Sequence, residues 1–251
     1  MTIFYFTATG NSLAVAKSIA QESDGKAVSI PQVIDSPQLA FKDDSIGIVF
    51  PIYDWSLPIM VRRFLDRASL KADYLFAIGT YGSMAYGAMS KLQSQFHYTN
   101  KLIMVNNYLP IFEMGKQIKK LPAKKVEENT AKIIADIKNR KPFHVKTNLV
   151  TRAMTDIRHG AFNPGKYAQG YIADEKCNAC GICAKICPAK NIAVAGKANF
   201  SDSCEACMAC LHLCPQNALH HKNEKSAKRW RNPNVTLNEI IAANNRLGGE
   251  A

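Results

Sequence analysis

Two cysteine runs constrain this chain more than any other feature: Cys177-Asn-Ala-Cys180-Gly-Ile-Cys183-Ala-Lys-Ile-Cys187-Pro188 and Cys204-Glu-Ala-Cys207-Met-Ala-Cys210-Leu-His-Leu-Cys214-Pro215. Each reads C-x2-C-x2-C-x3-C-P, and together they consume all eight cysteines. In this pattern three closely spaced thiolates reach three corners of one iron-sulfur cube, and the fourth cysteine, carried onto a short helix, ligates the other cube. The two runs therefore depend on each other. The expected ligand sets are Cys177, Cys180, Cys183 and Cys214 on one [4Fe-4S] cluster, and Cys204, Cys207, Cys210 and Cys187 on the second. Structural zinc takes four ligands from widely separated C-x2-C pairs and would leave cysteines in each run idle. Disulfides suit an extracellular chain, but the opening Thr2-Ile3-Phe4-Tyr5-Phe6 is too short for a signal-peptide core and lacks its basic flank. A reducing, cytoplasmic setting is expected, and no apolar stretch is long enough to span a membrane.

Residues 171–221 resemble a bacterial-type ferredoxin with two [4Fe-4S] clusters, a likeness that includes an internal repeat with a period of 27 residues. The runs differ after their second cysteine, where one has Gly181 and the other Met208, a departure that touches the cluster's surroundings rather than its ligation. So small a module has few large apolar residues, and clusters are expected to supply much of its folding energy. With all ligand places taken by cysteines, His212 is expected on the solvent-facing side of its helix.

Charge is unevenly placed. Residues 1–107 carry 9 basic and 8 acidic side chains and residues 171–221 carry 4 of each, whereas residues 108–170 hold 13 against 5. The excess behind the formal charge of +12 lies between and after the candidate redox segments. Such a field steers an acidic protein partner. Nucleic acid is the rival for any basic stretch, yet no zinc-finger or RNP-type motif and no recognition helix accompanies it.

Ahead of the cysteines, five short apolar runs, Ile3–Phe6, Ala27–Ile30, Ile46–Phe50, Tyr74–Ile78 and Leu102–Val105, suit strands buried on both faces. Between them helical spacing recurs at Leu13, Ala16 and Ile19, at Ile59, Phe64 and Leu65, and at Met89, Leu92 and Phe96; Val126, Ile133 and Ile137 follow the last strand. This alternation predicts an α/β fold, a doubly wound five-stranded parallel sheet. Ligands of such sheets bind beyond the carboxyl ends of the strands. Three loops therefore matter. Thr7-Ala8-Thr9-Gly10-Asn11-Ser12 offers hydroxyls, an amide and the backbone N–H groups of a helix start, a phosphate cradle, with Ser12 as a plain helix cap the simpler alternative. Pro51-Ile52-Tyr53-Asp54-Trp55 and Thr80-Tyr81-Gly82 through Tyr86-Gly87 add aromatics that can stack on a planar ring. No dinucleotide fingerprint and no nucleotide-triphosphate loop occurs.

The hydroxyl-rich first loop resembles the FMN phosphate loop of flavodoxins. That resemblance implies a flavodoxin-like strand order 2-1-3-4-5, FMN in the first loop, and an isoalloxazine ring between the second and third loops. No glycine lies between Pro51 and Pro58, so the peptide flip that favours one-electron reduced flavin in many flavodoxins is not expected. The whole chain resembles the flavodoxin and ferredoxin fusion family. The organisation expected is an FMN-binding domain over 1–145, an extended basic connection over 146–170, a small α+β ferredoxin domain over 171–221, and a basic tail over 222–251. Within these, residues 108–121 read as a loop, a helix closes the first domain from about Lys124 to Arg140, and Thr236-Leu-Asn-Glu239 opens a short tail helix. The function implied is electron transfer between two [4Fe-4S] clusters and FMN. The alternatives are an FMN-dependent reductase of a small molecule or quinone, and a cluster-stabilised nucleic-acid binder.

Overall fold

The apolar runs form a single parallel sheet. The computed structural model describes residues 1–161 and 163–246; Phe162 of the connection and residues 247–251 of the tail lie outside the described residues. Six strands pair side by side: β1 Thr2–Tyr5, β2 Lys26–Ser29, β3 Ser45–Pro51, β4 Tyr74–Tyr81, β5 Tyr98–Ile103 and β6 Phe143–His144. Their order is 2-1-3-4-5-6 and every pairing is parallel. The first five have the order expected of a flavodoxin-like sheet. The sixth corrects the expected strand count: Phe143 and Val145 donate backbone hydrogen bonds to His97 and Thr99, a pairing too short to leave a periodic trace in the sequence.

Side chains alternate across a strand, so helices on both faces turn a strand into a continuous apolar run. Ile3 and Tyr5 enter one core with Ile19, Ile133 and Ile137, while Phe4 and Phe6 enter the other with Ile48, Phe50 and Phe64. Each such side chain stabilises the fold by about 1.5–3 kcal/mol. Helices Asn11–Glu22 and Val126–Lys138 cover the first face, and Ile59–Arg67 covers the second.

Three local expectations are corrected. Met89, Leu92 and Phe96 are buried as the spacing required, but only a 3-10 turn, Ser90–Leu92, forms there. The connection over 146–170 is not extended: it forms helix Leu149–Ala161 and the turn Gly165–Ala168. Helix Leu149–Ala161 lies against the end of the third loop, where the Gly87 amide donates to Thr155 Oγ1 at 3.0 Å. Its Leu149, Val150 and Ile157 stay exposed, so no buried stripe announced it. Within 108–121, Met114–Lys119 is helical because the Glu113 carboxylate accepts from the Gly115 and Lys116 amides at its start.

Residues 171–221 hold two antiparallel strand pairs, Tyr171–Ala173 with Leu219–His221 and Ile192–Ala195 with Lys197–Phe200, and two short helices, Ile182–Lys185 and Ala209–Leu213. The tail helix Leu237–Asn244 opens on Thr236 with the expected capping box. Val235, Ile240 and Ala243 share one core with Ile186, Ala209 and Leu213 and with the first face of the sheet. The fully buried Asn244 amide donates to both Thr7 O at 3.1 Å and Ile186 O at 3.2 Å, tying the first loop to the cysteine segment. Among the described residues no helix is long and apolar enough to cross a membrane.

Candidate functional site

The carboxyl ends of β1, β3 and β4 deliver the three expected loops to one cavity of about 320 Å³. Thr7, Ala8, Thr9, Asn11 and Ser12 line it from the first loop, Pro51, Ile52, Tyr53, Asp54 and Trp55 from the second, and Thr80, Tyr81 and Gly82 from the third. Gly10, Tyr86 and Gly87 do not line it. Gly10 is approached by the tail rather than by the cavity: φ is +95°, and a Cβ there would sit 3.0 Å from Val235 and 3.1 Å from Asn232. Tyr86 backs Trp55, ring centroids 4.2 Å apart, and Gly87 faces helix Leu149–Ala161. A wider cleft of about 1070 Å³ between helices Asn11–Glu22 and Val126–Lys138 holds only Asn11 of the expected residues.

Ser12 is not the cap of its helix. Gly10 occupies that position, and Ser12 Oγ instead lies 2.8 Å from Thr80 Oγ1, a buried bond joining the first and third loops. Thr9 Oγ1 accepts from Asn107 Nδ2 at 2.7 Å, and Asn11 Oδ1 accepts from Trp230 Nε1 and Asn232 Nδ2 of the tail. Thr7 Oγ1 is buried without a hydrogen-bond partner. A buried hydroxyl left unpaired costs about 1–3 kcal/mol, which a ligand atom would recover.

The second loop is a tight turn in which the backbones of Tyr53 and Ser56 exchange hydrogen bonds at 2.9 and 2.8 Å. Its central residues, Asp54 and Trp55, have φ of 45° and 64°. Two left-handed central residues are the geometry that Asn-Gly normally supplies, and each non-glycine residue there costs roughly 1–2 kcal/mol. The loop thus takes a glycine-like conformation without glycine. Arg158 holds it, its guanidinium 2.8 Å from the Asp54 carboxylate and 5.9 Å from the Trp55 ring centre. The Tyr53 hydroxyl is buried and unpartnered.

The eight cysteines separate into two quartets. Cys187, Cys204, Cys207 and Cys210 line one small cavity, and Cys177, Cys180, Cys183 and Cys214 line another. The fourth cysteine of each run thus joins the other run. Among the described residues no three His, Cys, Asp or Glu side chains gather tightly enough to hold a single metal ion; each quartet surrounds a space instead. Burial pushes the Cys204 and Cys183 thiols up to about 11. The Asn191 side-chain oxygen, which lines the cavity of the Cys204 run, has no partner, and the Tyr171 hydroxyl there faces Cys204 without completing a hydrogen bond.

The repeat is reproduced in the backbone. Ala179 and Ala206, Gly181 and Met208, and Lys190 and Asn217 are pairs 27 residues apart, and all six have positive φ. The amides of Asn191 and Ala218, again 27 apart, each donate to a cysteine sulfur at 3.3 Å, Cys187 and Cys214 respectively.

His212 corrects the expectation of a solvent-facing side chain. It is 5% exposed, and its Nδ1 accepts from the Trp230 amide at 3.1 Å while Nε2 lies 2.7 Å from Asn107 O. The backbone donor fixes the tautomer, leaving the proton on Nε2. Burial brings the imidazole down to about 4.

The cavity wall also includes Asn107, Tyr108, Arg158, Tyr167, Cys207 and Met208. None was legible as a cavity residue, because each arrives from a segment remote from the three loops. Cys207 and Met208 line both this cavity and that of the Cys187/Cys204/Cys207/Cys210 quartet.

No family model matches the chain, and no curated protein matches it. Solved structures with partial likeness include a candidate flavoprotein from Bacteroides uniformis ATCC 8492, 20% identical with a TM-score of 0.33 over 41% of this chain and 89% of that one. A second, from Bacteroides eggerthii DSM 20697, is 16% identical with a TM-score of 0.31 over 40% and 84%. An NAD(P)H:quinone oxidoreductase from Methanothermobacter marburgensis is 9% identical with a TM-score of 0.36, covering 58% of this chain and 98% of its own.

Proposed function

We propose that this protein transfers electrons between two [4Fe-4S] clusters and FMN, coupling carriers of one electron to carriers of two. On this reading residues 1–145 bind FMN, 146–170 connect, 171–221 form a ferredoxin-like unit with the two clusters, and the tail, 222–251, clasps both through residues 222–246. The observation that carries it is the sharing of cysteines between runs, with Cys207 lining the three-loop cavity as well. The cavity residues fit FMN. Thr7, Thr9, Asn11 and Ser12 would hold the phosphate, and Trp55 and Tyr81 would flank the ring. FMN bound there supplies a centre able to exchange electrons singly or in pairs. The basic stretch over 108–170, 13 basic against 5 acidic side chains, supports an acidic redox protein as partner.

Anaerobic reductive titration tests this, with iron, sulfide and FMN quantified on the same sample. About eight irons and one FMN per chain, all reducible through one added donor, are expected. Clusters without flavin would reduce the first domain to a docking scaffold.

A second reading rests on Met84 and Ile111, which line the cavity yet are 53% and 64% exposed. An apolar mouth of this kind favours a quinone or other small acceptor meeting the flavin directly. Turnover of a defined quinone without any protein acceptor distinguishes it.

A further inference from the structure

The two cysteine runs repeat each other in backbone, but they do not face the same surroundings. Asn178, Ala179 and Cys180 of the first run are exposed, whereas Glu205, Ala206 and Met208 of the second are buried. Gly181 looks onto open space: a Cβ there would meet nothing within 4 Å. Met208, its counterpart, is 2% exposed and lines both the quartet's cavity and the three-loop cavity. It does so at φ 59°, ψ 13°, a left-handed conformation that glycine adopts freely and a long side chain does not. Backbone strain retained at a ligand wall marks a residue held there by its surroundings. Glu205 fixes the second run in place, its carboxylate accepting from the Ile59 and Met60 amides at 3.0 and 2.9 Å, just beyond the second cavity loop.

We propose that Met208, with Cys207, makes the Cys187/Cys204/Cys207/Cys210 quartet the one in electronic contact with the flavin cavity, and that the Cys177/Cys180/Cys183/Cys214 quartet faces outward to a one-electron carrier. The inference rests on the functional reading above and assigns an order within it. Electron-transfer rates fall exponentially with the gap to be crossed, so a side chain filling the space between two sites sets which pair exchanges fastest. Met208 is then a positioning residue, and the Gly-to-Met difference between the repeats separates an inner centre from an outer one. In the inward direction each external donor gives up one electron to the outer cluster, and two such electrons with two protons from water reduce the flavin by two.

The test compares EPR spectra of dithionite-reduced protein before and after removal of FMN. Cys214→Ala protein, which keeps the inner quartet complete, is expected to show a changed cluster signal on FMN removal. Cys187→Ala protein, which keeps only the outer quartet complete, is expected to show none. Met208→Gly retains every ligand and relieves the backbone, and so guards against misfolding of the cysteine variants. In it, flavin bleaching by reduced methyl viologen, normalised to bound FMN, should slow at least tenfold, with iron content and the rate of cluster bleaching unchanged. An FMN-dependent signal in Cys187→Ala, or flavin bleaching in Met208→Gly at the wild-type rate, overturns the assignment while leaving the electron-transfer reading intact. Wild-type protein lacking iron or FMN overturns both.

Discussion

His212, set between two cysteines of the second run, donates its Nε2–H to the backbone oxygen of Asn107 at 2.7 Å, and the Asn107 side chain in turn donates to Thr9 in the first cavity loop. On its other side the same imidazole receives the Trp230 amide, and Trp230 reaches Asn11. One side chain thereby joins the short helix of the second cysteine run, the loop after β5 and the tail. These three segments are remote in sequence, and the loop and the tail each supply a backbone group that the imidazole pairs.

Replacing His212 by alanine should therefore destabilise the holoprotein by about 2–4 kcal/mol, since it orphans one buried donor and one buried acceptor. The urea midpoint reads this directly. A midpoint within error of wild type would mean that water replaces the imidazole at no cost.

Cys187→Ala should remove the cluster of the other run, leaving about four irons and four sulfides per chain, because Cys187 sits with Cys204, Cys207 and Cys210. Cys214→Ala should spare that cluster and lose the first. Iron and sulfide analysis decides it; full occupancy in Cys187→Ala would refute the shared-ligand arrangement.

Trp55 lines the cavity and is braced by Tyr86 and Arg158. Trp55→Ala is expected to weaken FMN binding to apoprotein about tenfold, the equivalent of one aromatic stacking contact of about 1.4 kcal/mol. Fluorescence titration measures it, and an unchanged dissociation constant would take Trp55 out of the flavin contact.

Tail docking should weaken in acid. The Lys17 ammonium, together with the Thr236 amide and hydroxyl, draws the Glu239 carboxyl down to about 2. A carboxyl lowered by folding stabilises fully above its ordinary range near pH 4.5 and loses that contribution as pH falls towards 2. The Lys17–Glu239 pair is partly exposed, so the effect is about 1 kcal/mol or less. Protection of the amides in Leu237–Asn244, relative to their intrinsic exchange at each pH, should fall between pH 4.5 and 3, and Lys17→Met should flatten that dependence. Identical pH profiles in the two proteins would assign the acid sensitivity elsewhere.

Sequence alone determined what is periodic or chemically obligatory. Strands buried on both faces announce themselves as apolar runs, so β1 to β5 were legible, as were the loops that their carboxyl ends must present; the strand order came only from the resemblance of the first loop to that of flavodoxins. Cysteine spacing divides the eight residues into two candidate ligand sets, and the same two groups of four line the two small cavities. Contacts made by single side chains across long separations carry no period, and only the tertiary structure decided those. The two-residue edge strand β6, the helix Leu149–Ala161 with its exposed apolar face, the burial of His212 and the tail against Gly10 all belong to this group. So does the unequal burial of the repeated runs: Gly181 and Met208 occupy the same place in the motif, and which of them meets the cavity depends on how the cysteine segment packs against the sheet.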